Sequence, residues 1–238
     1  MTSQGEALLT AADYNGTLSA ARSLGRAGVR VVVADPDPLA RTCWSRHAAR
    51  TERCPDASAE PEAFLSFLLD HGRKAPGTVL YATSDDVAFV ISRHRDELAR
   101  WFRMYSPPFR TVYALLNKWQ LYQACVEVGI DAPHTWLPAS EDEVSCLARE
   151  ASFPLIVKPQ TQALLAPHQK GRLVLEPAGL LPSYRSLRAQ TNVAEALLAD
   201  DPGAAAPVVQ AFKNGAHTRI ENLSGFVDGS GALFLAQA

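Results

Sequence analysis

Apolar runs and helical stripes alternate through the first third of the chain. Residues 5–11, GEALLTA, form a short apolar run, 17–27 carry a helical pattern, and 29–35, VRVVVAD, is a continuous β-branched run. An unbroken run of that kind predicts a parallel strand buried on both faces. A polar, Pro-containing stretch over 53–61 follows, then a helix over 64–71, and then TVLYATSDD, a strand that runs into a helix start. There Thr83, Ser84, Asp85 and Asp86 offer side-chain oxygens to the free N–H groups of a first helical turn. Val87, Val90, Ile91, His94, Leu98, Trp101 and Phe102 recur behind them at helical spacing. The pattern predicts a doubly wound parallel-sheet domain over 1–107, ending at the break Ser106-Pro107-Pro108.

A second unit over 108–238 opens with a predicted helix at 111–128, in which Val112, Leu115, Leu116, Trp119, Tyr122 and Val126 form one apolar stripe and Gly129 supplies the stop. Strand 134–137, helix 141–151 and strand 155–158 lead into a loop without clear pattern. Strand 172–175, helix 184–199 and strand 208–212 come next, with 203–207 reading as a plain linker. A hairpin of 219–227 and 232–236 turns about Asp228-Gly229-Ser230-Gly231. The whole is α/β, a doubly wound domain followed by an α+β unit.

Composition narrows the function classes. A formal charge of −2 over 238 residues gives no electrostatic reason to expect nucleic acid or an anionic membrane as partner. The N-terminus has no leader pattern and no segment reaches the roughly 18 apolar residues of a membrane span, so a cytoplasmic protein is expected. Cys43, Cys54, Cys125 and Cys146 form no CxxC pair and read as buried or idle thiols. The histidines His47, His71, His94, His134, His168 and His217 form no metal-ligand pair, and no GxSxG elbow is present. Asp35 stands where a Rossmann domain would hold a ribose. The first turn, however, has a single glycine, Gly16, and offers a pyrophosphate no cradle, so Asp35 reads more simply as a turn residue.

FPLIVKP, at 153–159, delivers Lys158 at a strand end between two prolines. A lysine held on a strand can neutralise a polyphosphate, although a strand-end lysine is more often a solvated charge. Its context adds weight. NKWQLYQACVEVGIDAPHTWLP, a helix, FPLIVKP and APVVQAFKNG follow one another over 117–215. In order and spacing they resemble the lysine helix, phosphate-lysine strand and adenine hinge of the ATP-grasp superfamily. TVLYATSDDVAFVISRHRDEL with its proline break resembles the N-terminal domain of the carbamoyl-phosphate-synthase-like and carboxylate-amine ligase branch.

The resemblance implies ATP-dependent joining of a small-molecule carboxylate to an amine through an acyl phosphate, with ATP and Mg2+ as cofactors. Carried over by position, Lys118 and Lys158 hold nucleotide phosphates. Gln210, Ala211, Phe212 and Lys213 form the hinge, where backbone groups of Ala211 and Lys213 read the adenine edge and Phe212 packs beneath. For Lys118 the plainer alternative is a snorkelling residue at the edge of the stripe, and for the hinge a plain strand end. Loops 11–16 and 84–86 face the cleft in such an architecture.

Departures accompany the likeness. Gln210-Ala211 stands where relatives commonly carry an acid, and Asn117 where many carry Asp. Segment 160–172, QTQALLAPHQKGR, has Gly171 as its one glycine and reads as a surface loop, with Lys170 as a further candidate phosphate contact. Magnesium ligands are expected beyond Ala238, on a missing segment of about 100 residues or more, a domain's worth. Little or no ligase activity is then expected from this stretch alone. The alternative is a truncated or degenerate module that binds nucleotide without catalysis or serves as an interaction surface; a homo-oligomer is left open.

Overall fold

The structure is a computed structural model that describes residues 5–165, 167–213, 215, 218 and 223–237. Strands β1 (Glu6–Leu9), β2 (Arg30–Asp35), β3 (Ala48–Arg53) and β4 (Val79–Tyr81) form a parallel sheet in the order β3-β2-β1-β4. Helices α1 (Asn15–Arg26), α2 (Pro61–Lys74) and α3 (Asp85–Arg93) accompany it. Successive residues of β2 bury in opposite directions: Val32 and Ala34 join Phe64, Leu68 and Val90, whereas Val31 and Val33 join Ala21 and Ala40. The unbroken β-branched run is thus a strand covered on both faces.

Strand β3 was not foreseen, because AARTER carries no apolar run. It is an edge strand, held by backbone pairing to β2, and so its side chains need not be apolar. The helical pattern behind Asp86 is interrupted at His94, where the short α4 (Arg95–Leu98) begins.

The helix expected over 111–128 is two helices, α5 (Phe109–Leu116) and α6 (Lys118–Glu127). Asn117 breaks it: its backbone is extended, and its side-chain Oδ1 accepts from the N–H groups of Trp119 at 3.0 Å and Gln120 at 3.2 Å. It therefore works as an N-cap, which ends one helix and starts the next. The expected single stripe is lost with it, and Leu115 and Val126 are exposed.

A second, four-stranded antiparallel sheet has the order β5-β8-β6-β7, from β5 (Thr135–Trp136), β6 (Leu155–Lys158), β7 (Arg172–Val174) and β8 (Val208–Ala211). One face packs Leu155, Val157, Val174 and Val209 against Val144 of α7 (Glu141–Glu150) and Leu180, Tyr184 and Leu187 of α8 (Leu180–Gln190). The helix expected over 184–199 ends with α8, and α9 (Glu195–Asp200) is separate. Between them the Ala194 N–H bonds the Leu164 carbonyl at 3.0 Å and Val193 pairs with Leu165, contacts a continuous helix would forbid.

Two further expectations are corrected by packing. Within the supposed surface loop, Gln160, Thr161, Ala163, Leu164 and Leu165 are buried, and the surface character begins only at Pro167. The supposed plain linker is also structural: the carbonyls of Gly203 and Ala206 accept from Gln160 Nε2 at 2.7 and 2.9 Å. Leu164, Leu165, Val193 and Leu197 join Phe89, Val90 and Tyr113 in one core, which therefore runs on past the Pro107-Pro108 break. Strands β9 (Leu223–Val227) and β10 (Leu233–Gln237) form the expected hairpin, and the expected strand positions 219–222 lie outside the described residues.

Candidate functional site

Lys118 is the first residue of α6, set there by the Asn117 cap, and its backbone N–H donates to the Gln160 carbonyl at 2.7 Å. Asn117 is fully buried. Its amide Nδ2 lies 3.3 Å from each of Tyr113 Oη, Gln160 Oε1 and Asp201 Oδ2, and Tyr113 donates to that same Asp201 oxygen at 2.7 Å. The network explains why an amide and not an acid precedes the lysine. A carboxylate at 117 would face Asp201 in a site closed to water, whereas Asn supplies the donor that Asp201 accepts.

Lys158 ends β6 on the sheet face opposite the α7 and α8 core. Its ammonium donates to Gln210 Oε1 at 3.0 Å, and Gln210 Nε2 donates to Thr135 Oγ1 at 2.8 Å. Burial lowers the Lys158 pKa. Lys118 is also lowered, first by burial and then by the charge of Lys158, with Asp85 acting in the opposite sense. Among the described residues no ion pair includes either lysine. Two partly desolvated cations, of which Lys158 is tethered only by a neutral amide, favour the arrival of a polyanion.

The structure brings Lys118, Lys158 and Gln210 together; Ala211, Phe212 and Lys213 stand apart. In the antiparallel register Lys158 pairs with Val208 and Leu155 with Ala211, so the 211–213 segment begins three residues along β6, a rise of about 10 Å. The Ala211 N–H bonds the His134 carbonyl at 2.8 Å and the Phe212 N–H the Pro154 carbonyl at 3.1 Å, so neither donor is left for an adenine edge. Lys213 is exposed. Between the lysines and the hinge the same face carries Ile156, paired with Leu173, which is half exposed. Sequence reading passed over both; the alternation along LIVK was the available signal, since it sets Ile156 on the face of Lys158. Gly171 was noted as a lone glycine, but not for what it does. A methyl there would lie 2.9 Å from Lys158 Cγ and 3.0 Å from Ile156 Cδ1, so the bare backbone makes room for the lysine stem.

A second polar centre lies at the carboxyl ends of the parallel strands, beside the point between β1 and β4 where the winding reverses. A cavity of about 450 Å3 is lined there by Asp13, Tyr14, Asp35, Asp56, Asp86 and His168 among others. Asp35 is a turn residue, as the DPDP pattern implied: Oδ2 accepts from Ala12 N–H at 2.5 Å and Oδ1 from Asp37 N–H at 2.9 Å. Asp86 Oδ1 accepts from Leu164 N–H at 2.6 Å, and His168 Nε2 is 3.9 Å from Oδ2. Burial raises the Asp86 pKa more than the Leu164 bond and His168 lower it. Cys54, in the same wall, is pushed up to about 12, chiefly by burial, so its thiol stays protonated and is no nucleophile.

Among the described residues, no group of three or more His, Cys, Asp and Glu side chains is placed to hold a metal ion. No helix among them is long and apolar enough to cross a membrane.

No known family matches the chain by sequence, and neither does any curated protein. Solved structures do match. The L-amino acid ligase from Bacillus licheniformis superposes with a TM-score of 0.69 at 13% identity, over 97% of this chain and 49% of that one. N5-carboxyaminoimidazole synthetase from Staphylococcus aureus gives 0.64 at 12% identity, over 98% and 54%. The biotin carboxylase domain of Hydrogenobacter thermophilus 2-oxoglutarate carboxylase, in complex with MgADP, ADP and bicarbonate, gives 0.67 at 11%, over 97% and 48%. The chain therefore spans about half the length of the structures it matches, and over that half it shares their fold.

Proposed function

We propose that this chain supplies the phosphate-holding part of an ATP-dependent carboxylate-amine ligase, with a first unit through residue 107 and a nucleotide-binding unit from 108. The observation that carries the reading is the nearness of Lys118, at the start of α6, to Lys158, which Gln210 tethers on the sheet face; both are partly buried and neither is ion-paired among the described residues. ATP fits that face. Its phosphates meet the two ammonium groups, and its apolar parts lie along Ile156 and Leu173 toward the segment 211–213.

When bound, ATP supplies the phosphoryl group: a substrate carboxylate oxygen forms a bond to the terminal phosphorus as the bond to ADP breaks. An amine nitrogen then attacks the acyl carbon and phosphate leaves. The chain's part is positioning and charge stabilisation, the main contributions a protein makes to phosphoryl transfer. Asn117, Gln160 and Gln210 hold the lysines where charge builds up on the transferring group. His168 links the cavity at the first sheet to the segment that follows Lys158.

Isothermal titration of the chain with ATP and magnesium, with NADH as control, tests the reading. Saturable ATP binding that Lys158→Ala weakens at least tenfold is the expected result. Tight NADH binding, or ATP binding indifferent to Lys158, overturns it. A folded chain that binds neither favours the non-catalytic module.

A further inference from the structure

Lys158, Gln210, Thr135 and Pro133 form a hydrogen-bond chain with a fixed direction. The Thr135 hydroxyl donates to the Pro133 carbonyl at 2.9 Å, which leaves its oxygen only as an acceptor. That acceptor takes the Gln210 Nε2 group at 2.8 Å, so the other end of the amide, Oε1, must face Lys158, whose ammonium donates at 3.0 Å. Thr135 and Gln210 are direct cross-strand partners in the β5 and β8 pairing, and Thr135 is 2% exposed, so the anchor is rigid and dry. A glutamine amide is otherwise free to turn over. With its NH2 toward Lys158 it would set donor against donor, and the charge of Lys118 would add to the repulsion.

We propose that Thr135 is a positioning residue of the phosphate site, which fixes the sense of the Gln210 amide and thereby keeps Lys158 protonated and aimed at the open face. The inference rests on the reading of that face as a nucleotide site, but its first test needs no nucleotide. A neutral tether suits the role better than an acid would. It holds the ammonium by a dipole without cancelling its charge, so the full charge remains for a polyanion.

The relay also accounts for the departure noted in the sequence. Glutamate at 210 would accept from Lys158 and from nothing else by necessity, and would no longer need Thr135. Glutamine needs an acceptor on its far side, and the strand opposite provides one.

The experiment is NMR titration of the Lys158 side chain in the free protein, compared among wild type, Thr135→Val, Thr135→Ser and Gln210→Met. Thr135→Val keeps the β-branched shape that suits the strand and removes only the hydroxyl. It is expected to lower the Lys158 pKa and to weaken tripolyphosphate binding about fivefold, the order set by one lost hydrogen bond. Thr135→Ser should restore both, and Gln210→Met, which cuts the chain at its middle, should lower the pKa at least as far. An unchanged Lys158 titration in folded Thr135→Val, with Gln210→Met shifted, overturns the inference. Should Thr135→Val not fold, a Thr135→Ser protein whose Lys158 titrates as in Gln210→Met overturns it equally. A wild-type chain that binds no polyphosphate while Lys158 still responds to Thr135 would instead overturn the nucleotide reading and leave the relay standing.

Discussion

The lysine face and the acidic cavity are built on opposite rules. On the face, Lys158 is tethered by a neutral amide, and neither lysine enters an ion pair among the described residues. In the cavity, Asp35 is fastened by two backbone N–H groups, Asp86 by one, and Asp13 by the guanidinium of Arg41. A charge answered from within its own chain is committed to holding loops in place. A charge answered only by a dipole keeps most of its field for something that arrives from outside.

The largest effect that would sharpen this contrast is on stability. Asn117→Asp sets a second carboxylate beside Asp201, across the 3.3 Å now bridged by a hydrogen bond, in a buried site. Denaturant unfolding should show a loss of about 3 kcal/mol, with most of it recovered by adding Asp201→Asn. Next comes the ligand's side of the comparison. Lys158→Ala should weaken ATP binding by about 10- to 100-fold, the worth of a charged hydrogen bond, whereas Asp35→Asn should leave it within about twofold. An equal response from both would dissolve the distinction.

A smaller effect is expected at Gly171, where Gly171→Ala presses a methyl on the Lys158 stem. ATP binding should weaken by about threefold to tenfold as the stem shifts. Acidity separates the centres further. Because burial lowers both lysine pKa values, the cations lose their protons at a lower pH than exposed lysines do. ATP affinity should therefore begin to fall early as pH rises, and Lys158→Arg should reduce that fall, since Arg keeps its charge. The smallest effect concerns Asp86, whose pKa burial raises. Its ionisation disfavours the folded state, and this penalty appears as pH rises through the folded pKa and is absent below the unfolded one. Asp86→Asn, which retains an acceptor for Leu164, should thus be slightly more stable than wild type near neutral pH and no more stable near about pH 3.

What the sequence made legible follows from the range of the forces involved. VRVVVAD announced a strand covered on both faces because Val31, Val32, Val33 and Ala34 form an unbroken apolar run, whereas the alternation that sets Ile156 beside Lys158 in LIVK went unread. Lys118 and Lys158 were singled out by the resemblance, and they lie near enough for the charge of Lys158 to lower the Lys118 pKa. Strand β3 escaped because backbone pairing leaves no mark on side-chain type. The break at Asn117 was written as a cap but masked by apolar residues on both sides. The burial of Leu164 and the role of Thr135 depend on partners 78 and 75 residues away, and no local pattern carries that information.

The Leu164 N–H, held by the Asp86 carboxylate of α3 and closed off from water, ties the segment behind Lys158 to the first unit. In deuterated solvent that proton can leave only when the segment behind Lys158 comes away from the first turn of α3. Its exchange rate is therefore a clock for the parting of the two halves, readable without any ligand. A ligand that draws the halves together slows that clock, and one that settles on the lysine face alone leaves it running at the same pace.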